Sequence, residues 1–326
     1  MNAGRPRAPR TSPSPSAPFT TEVARLRGRL GVLPDLATDS RARDAVAHWF
    51  GRDAQRLLDN IGQLPRTSDV DALHQARVGL RRLRTDLQTF RPLLEGDALA
   101  ALAPELAWLG RSIGAVRDHD VFVSILAGYA HEAPDERELV ALVESFDGAR
   151  DALVARVAAD LVTDRAISAL TSVTALAVDP PVVSRADEAA IDVFTELARR
   201  PWRKLVREAR GLDATSPVEA LHELRIRVKK ARYAVEAAAA VSADASPHAR
   251  SLARMQTTLG DINDAAITIH RLRAAAADDL GGLAAYAAGR VAAHEQRRIK
   301  DRREQWPGRW DLARRKRVRA WLDSSE

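Results

Sequence analysis

The sequence predicts an all-α fold built as two homologous helical halves. Three observations carry this. Ala and Leu dominate from Thr20 onward, and strand-like alternation of β-branched residues is rare. Gly and Pro fall where separators between helices belong. A basic helical motif recurs 148 residues after its first copy, and a second echo follows each copy.

Residues 1–18 are rich in Pro, Ser and Arg, with little apolar surface, so a disordered tail is expected there. Helices are expected over 42–62, 70–93, 99–112, 118–131, 136–160 and 164–176. Ser68 or Asp69 is placed to cap the second of these. Val178-Asp179-Pro180-Pro181 then breaks the chain, because proline lacks a donor and cannot continue a helix. A second series follows over 186–210, 217–240, 247–258, 261–277, 282–305 and 309–322. Ser216 with Pro217 and Glu219 is a start signal for the second helix of that series. The halves run over about 40–177 and 186–305, and 306–326 is a basic C-terminal helix or tail. Its Trp306, Trp310 and Trp321 are expected to pack that helix down.

The chain has 326 residues and no cysteine, which excludes disulfides, thiolate metal sites and a cysteine nucleophile. No apolar run approaches the roughly 18 residues of a membrane span. The basic start lacks the apolar stretch of a signal peptide, so a cytoplasmic protein is expected. The net charge of +6 is segregated: residues 1–18 carry +3, 290–326 carry +6, and 19–289 carry −3. Basic residues in the middle therefore matter only where they cluster. Arg supplies 45 of the 50 cations, which suggests polyanion partners.

The repeat is specific. His74-Gln75-Ala76-Arg77-Val78-Gly79-Leu80-Arg81-Arg82-Leu83-Arg84 returns as His222-Glu223-Leu224-Arg225-Ile226-Arg227-Val228-Lys229-Lys230-Ala231-Arg232. Ile113-Gly114-Ala115-Val116-Arg117-Asp118 returns as Leu259-Gly260-Asp261-Ile262-Asn263-Asp264 at an offset of 146. On a helix, His74, Arg77, Arg81 and Arg84 share an arc of about 80° beside an apolar stripe of Leu80, Leu83 and Leu87. His222, Arg225, Lys229 and Arg232 repeat that geometry beside Leu224, Val228 and Ala231. Arg82 and Lys230 point elsewhere, about 80° from the histidine, and Tyr233 lies at about 20°. Like charges one turn apart repel, so each stripe must meet acids, solvent or a polyanion. Asp118 and Asp264 are expected to be structural partners of arginines. No ligand set for a metal and no glycine-rich phosphate loop is present, so neither metal, cofactor nor catalysis is expected.

These motifs resemble the CHAD family, the conserved-histidine α-helical domain, over roughly residues 40–310. The resemblance implies two pseudo-symmetric four-helix bundles around a basic central cavity, with the domain spanning 19–310. It also implies binding of inorganic polyphosphate and association with polyphosphate granules. Carried over position by position, the ligands are His74, Arg77, Arg81, Arg82, Arg84 and, more weakly, Arg117 in the first half. In the second they are His222, Arg225, Arg227, Lys229, Lys230, Arg232 and Tyr233. Arg117 faces Asn263 across the repeat, and Gly79 faces Arg227, so the second half is expected to be the more basic. Protonation of His74 and His222 below about pH 6.5 is expected to tighten binding. Two rival functions are a nonspecific nucleic-acid binder, served by the Arg-rich C-terminus, and a phosphoanhydride hydrolase. A granule scaffold that recruits proteins through its termini is a third.

Overall fold

A computed structural model describes residues 16–323 except 34, 67, 68 and 279, without the side chains of 16 and 97–99. All named elements are helical: α1 Ser16–Gly28, α2 Ala42–Ile61, α3 Val70–Thr89, α4 Gly96–Glu132, α5 Arg137–Glu144, α6 Ala149–Leu161, α7 Asp164–Val178, α8 Ala190–Ala209, α9 Val218–Ala239, α10 Ser246–Ala277, α11 Gly282–Ala313 and α12 Lys316–Arg319. Helices α2, α3, α4 and α7 pack together, as do α8, α9, α10 and α11, and α2 meets α8 while α3 meets α9. One buried core runs through both groups, from Phe50, Phe90 and Leu106 to Phe194, Leu224 and Trp306. A smaller core joins the ends of α4 and α10 to α5 and the start of α11, around Phe122, Leu142, Leu272 and Val291. Among the described residues no single helix is long and apolar enough to cross a membrane.

The expected tail lies outside the described residues up to 15, and helix begins at Ser16, inside the segment expected to be disordered. Pro18 sits in the first turn, where its missing N–H costs nothing. Phe19, Val23 and Leu26, spaced for one helix face, are buried. The cap expected at Ser68 falls outside the described residues, while Asp69 accepts from the backbone N–H groups of Asp71 and Ala72 at 2.8 and 3.1 Å. Ser216 does not cap α9, which starts one residue later, after Pro217. Its hydroxyl instead accepts from the Asp213 N–H at 2.8 Å and holds the preceding turn.

Four expected boundaries are corrected. Residues 99–112 and 118–131 form one helix, as do 247–258 and 261–277, so the breaks near Gly114 and Gly260 do not exist. Each glycine lies under an arginine of the basic motif. A Cβ on Gly114 would collide with Arg77 Nη1, and one on Gly260 would lie 3.9 Å from Arg225 Nε. Gly114 makes room for the Arg77 guanidinium, and neither glycine ends its helix. Conversely, the expected helix 136–160 is two, α5 and α6, because each serves a different core. Finally, α11 runs on through Pro307 to Ala313, with Trp306 and Trp310 buried and Trp310 5.5 Å from Trp202 of α8.

Gly79 explains one asymmetry of the repeat. A Cβ there would stand 3.0–3.1 Å from the backbone of Asp53 and Leu57, so α2 and α3 touch main chain to main chain. No arginine fits, whereas its equivalent Arg227 reaches Glu208 on α8 at 3.5 Å. Gly79→Arg is expected to cost about 3 kcal/mol or more by forcing the two helices apart. Arg227→Gly should cost only about 1 kcal/mol of helix propensity. Thermal melts of both variants check this, and equal losses would contradict the close contact.

Candidate functional site

The two basic stripes face each other across α3 and α9. Lys229 shows it most clearly. Its ammonium is pushed down to about 8, first by burial and then by the charges of Arg81, Arg225, Arg84 and Arg77. Three of those four arginines belong to the opposite helix. Burial also lowers Arg81, which feels the cations Arg82, Arg77 and Arg232. Arg81 is nonetheless open to solvent. Arg81 thus keeps access to solvent while sharing its surroundings with three other cations. It stays charged, since arginine is not deprotonated in proteins.

The histidines sit at one end of the stripes. His74 is lowered by burial first and then by the charges of Arg117 and Arg81. Arg117 of α4 thus belongs with the group. In the second half, His222 Nδ1 lies 2.6 Å from Oδ1 of Asn263, the residue equivalent to Arg117. The same pair of positions meets in both halves, as arginine against histidine in one and as amide against histidine in the other. Asn263 was not assigned a role from sequence. Its signal was its place in the second echo, 41 residues after His222 where Arg117 lies 43 after His74. The expected gain of charge by His74 in mild acid is displaced to lower pH.

The cations divide by partner. Arg77 Nη2 donates to Asp118 at 2.7 Å, as expected for Asp118. Asp264 pairs with no arginine among the described residues, and its Oδ1 instead accepts from Asn263 Nδ2 at 3.3 Å. Glu236 of α9 takes Arg82 at 3.3 Å and Arg232 at 2.7 Å, tying α3 to α9. Tyr233, buried, lies between those two guanidiniums, 5.4 and 5.2 Å from its ring centroid. Desolvation opposes the Arg82 charge, but Glu236, Asp53, Tyr233 and Asp86 outweigh it and raise Arg82. Arg82, Arg232, Tyr233 and Glu236 therefore clamp the crossing. By contrast, Arg81, Arg84, Arg117, Arg225 and Lys229 form no ion pair among the described residues, and Arg225 Nε is buried without an acceptor. Arg84 lies over Gly110 of α4, whose Cβ would stand 3.6 Å from its Nη1.

Two assigned residues lie apart. Arg227 pairs with Glu208 on α8, and Lys230 presses electrostatically on Lys204 of α8. They face away from α3. Three open concavities also lie elsewhere. One of about 830 Å³ is lined by Trp202, Trp306, Trp310, Arg203 and Arg314. One of about 730 Å³ surrounds Tyr129 and Glu295, and one of about 500 Å³ adjoins Arg199 and Arg319. None of these lies between α3 and α9. Among the described residues no group of three or more His, Asp or Glu is placed to hold a metal ion.

The basic helices and the glycine-seated arginines fall within residues 41–273, which match the family model of the CHAD domain. The chain belongs to the CHAD family. Its fold is similar to the crystal structure of the CHAD domain from the plant Ricinus communis, with 23% identity and a TM-score of 0.66 over 90% of this chain and 96% of that one. It is also similar to PptA from Streptomyces chartreusis, at 21% identity and a TM-score of 0.66 over 83% of this chain and all of that one. No curated protein matches it. CHAD membership thus rests on the family match, and the two structures share its all-helical fold.

Proposed function

We propose that this CHAD protein binds inorganic polyphosphate along the facing stripes of α3 and α9, and through it associates with polyphosphate granules. One observation carries the reading. Arg81, Arg84, Arg225 and Lys229, with Arg117 at the histidine end, gather on this face and form no ion pair among the described residues, at a cost visible in the depressed Lys229. A flexible polyanion relieves that repulsion along its whole length. Arginine suits it, offering paired donors to phosphate oxygens. His74 and His222 border the face, while Arg82, Arg232 and Tyr233 hold its two helices in register. The matched seats of Arg77 on Gly114 and Arg225 on Gly260 support a pseudo-symmetric site. We propose binding rather than catalysis, since cations that hold the ground state do not by themselves lower a barrier.

The test is binding of fluorescent long-chain polyphosphate at two salt concentrations, with single-stranded DNA as competitor. Tight binding that weakens with salt and resists DNA is expected. Equal competition by DNA would favour the nonspecific nucleic-acid reading, and no binding would remove the proposal.

A further inference from the structure

Helix α8 carries a second basic surface that the repeat does not account for. Residues 199–208 hold Arg199, Arg200, Arg203, Lys204 and Arg207 against one acid, Glu208. The equivalent stretch of α2, residues 51–60, holds two cations and two acids, and Arg52 there is paired with the buried Asp53 at 3.0 Å. Arg200 and Arg207 are exposed, and neither they nor Lys204 form an ion pair among the described residues. The surface continues onto α9. Arg227 leans on Glu208, and Lys204 is held below its ordinary value by Arg200 first, then by burial, Arg227, Arg207 and Lys230. Five cations thus crowd the outer face of α8 and α9 against two carboxylates, Glu208 and, one turn before Arg227, Glu223.

We propose that this outer face is a second polyphosphate track, continuous with the first around α9, and that it makes the protein favour long phosphate chains over short ones. The proposal rests on the polyphosphate reading of the α3–α9 face. Around α9 the cations Arg225, Lys229, Lys230 and Arg227 fall at about 300°, 340°, 80° and 140°, so they wrap from the inner face to the outer. Helix α9 is only about 10 Å across. A chain that fills the inner face reaches the outer one by continuing past Lys230. The second contact is then intramolecular and adds affinity without a second encounter. A short oligophosphate ends before it arrives. This also accounts for Arg227 and Lys230, which belong to the repeated motif yet face away from α3.

The experiment compares a short oligophosphate with long-chain polyphosphate on three folded proteins, matched by circular dichroism. These are the wild type, Arg200→Gln/Lys204→Gln/Arg207→Gln, and Arg81→Glu/Lys229→Glu. The α8 variant is expected to lose about tenfold for the long chain, with a shallower salt dependence, and less than about twofold for the short one. An unchanged long-chain affinity would overturn the second track. Equal losses for both chains would also overturn it, by reducing α8 to a general field. Failure of the underlying reading looks different: Arg81→Glu/Lys229→Glu would then bind the short oligophosphate as the wild type does.

Discussion

Changing Arg81 and Lys229 together to Glu is expected to weaken polyphosphate binding at least about 100-fold while leaving the fold at least as stable. Two charge-assisted contacts at roughly 1.5–3 kcal/mol each set the lower bound, and reversal adds repulsion. The choice of residues matters. Arg77, Arg82 and Arg232 each hold an acid, so altering them mixes loss of ligand with loss of structure. Arg81 and Lys229 have no such partner, and both already suffer from neighbouring cations. New carboxylates at these positions sit among Arg77, Arg84 and Arg225 and relieve that strain. Fluorescence anisotropy and a thermal melt on the same sample check both halves of the expectation. Retained binding by the folded variant would move the site away from the α3–α9 crossing.

Lys229 should make polyphosphate binding pH-dependent in a range where few other groups titrate. Its free-state value is about 8, and bound phosphate must raise it. Binding therefore takes up a proton, and affinity should fall by up to about tenfold between pH 7.5 and 9.5. Lys229→Arg, always charged, should flatten that profile. The folding sign is opposite. Below pH 8 the native and unfolded forms both hold the proton, and the native form carries the full penalty of the crowded charge. Between about 8 and 10.5 the unfolded chain binds more protons, so stability rises with pH across that window. At pH 7 the penalty is about 3 kcal/mol before solvent screening reduces it. Lys229→Met should accordingly melt a few degrees higher in the free protein and bind polyphosphate less well. A pH-independent affinity in the wild type would remove Lys229 from the site.

The helices and the paired basic motifs were legible in the sequence, because helical periodicity and a self-similar segment are local properties. The repeat gave each half its basic stripe, whereas their convergence was implied by the family resemblance alone. Several boundaries were not legible for one shared reason. Gly114 and Gly260 read as breakers, yet each sits mid-helix under an arginine from another helix, and only packing shows that. Phe19, Val23 and Leu26 were too close to a Pro-rich stretch to announce α1.

By itself, then, the sequence determined an all-helical chain, two copies of a basic helix and the residue types a polyanion requires. Tertiary structure decided which of those cations are free. Arg77 meets Asp118 across 41 residues, and Arg82 meets Glu236 across 154, contacts that no local pattern encodes. Helical position already turned Arg227 and Lys230 away from the inner stripe, and the fold set Glu208 and Lys204 of α8 against them. The physical reason is the same throughout. Periodicity assigns a side chain to a face of its helix, whereas its charge is neutralised, crowded or left open only by what the fold brings against that face.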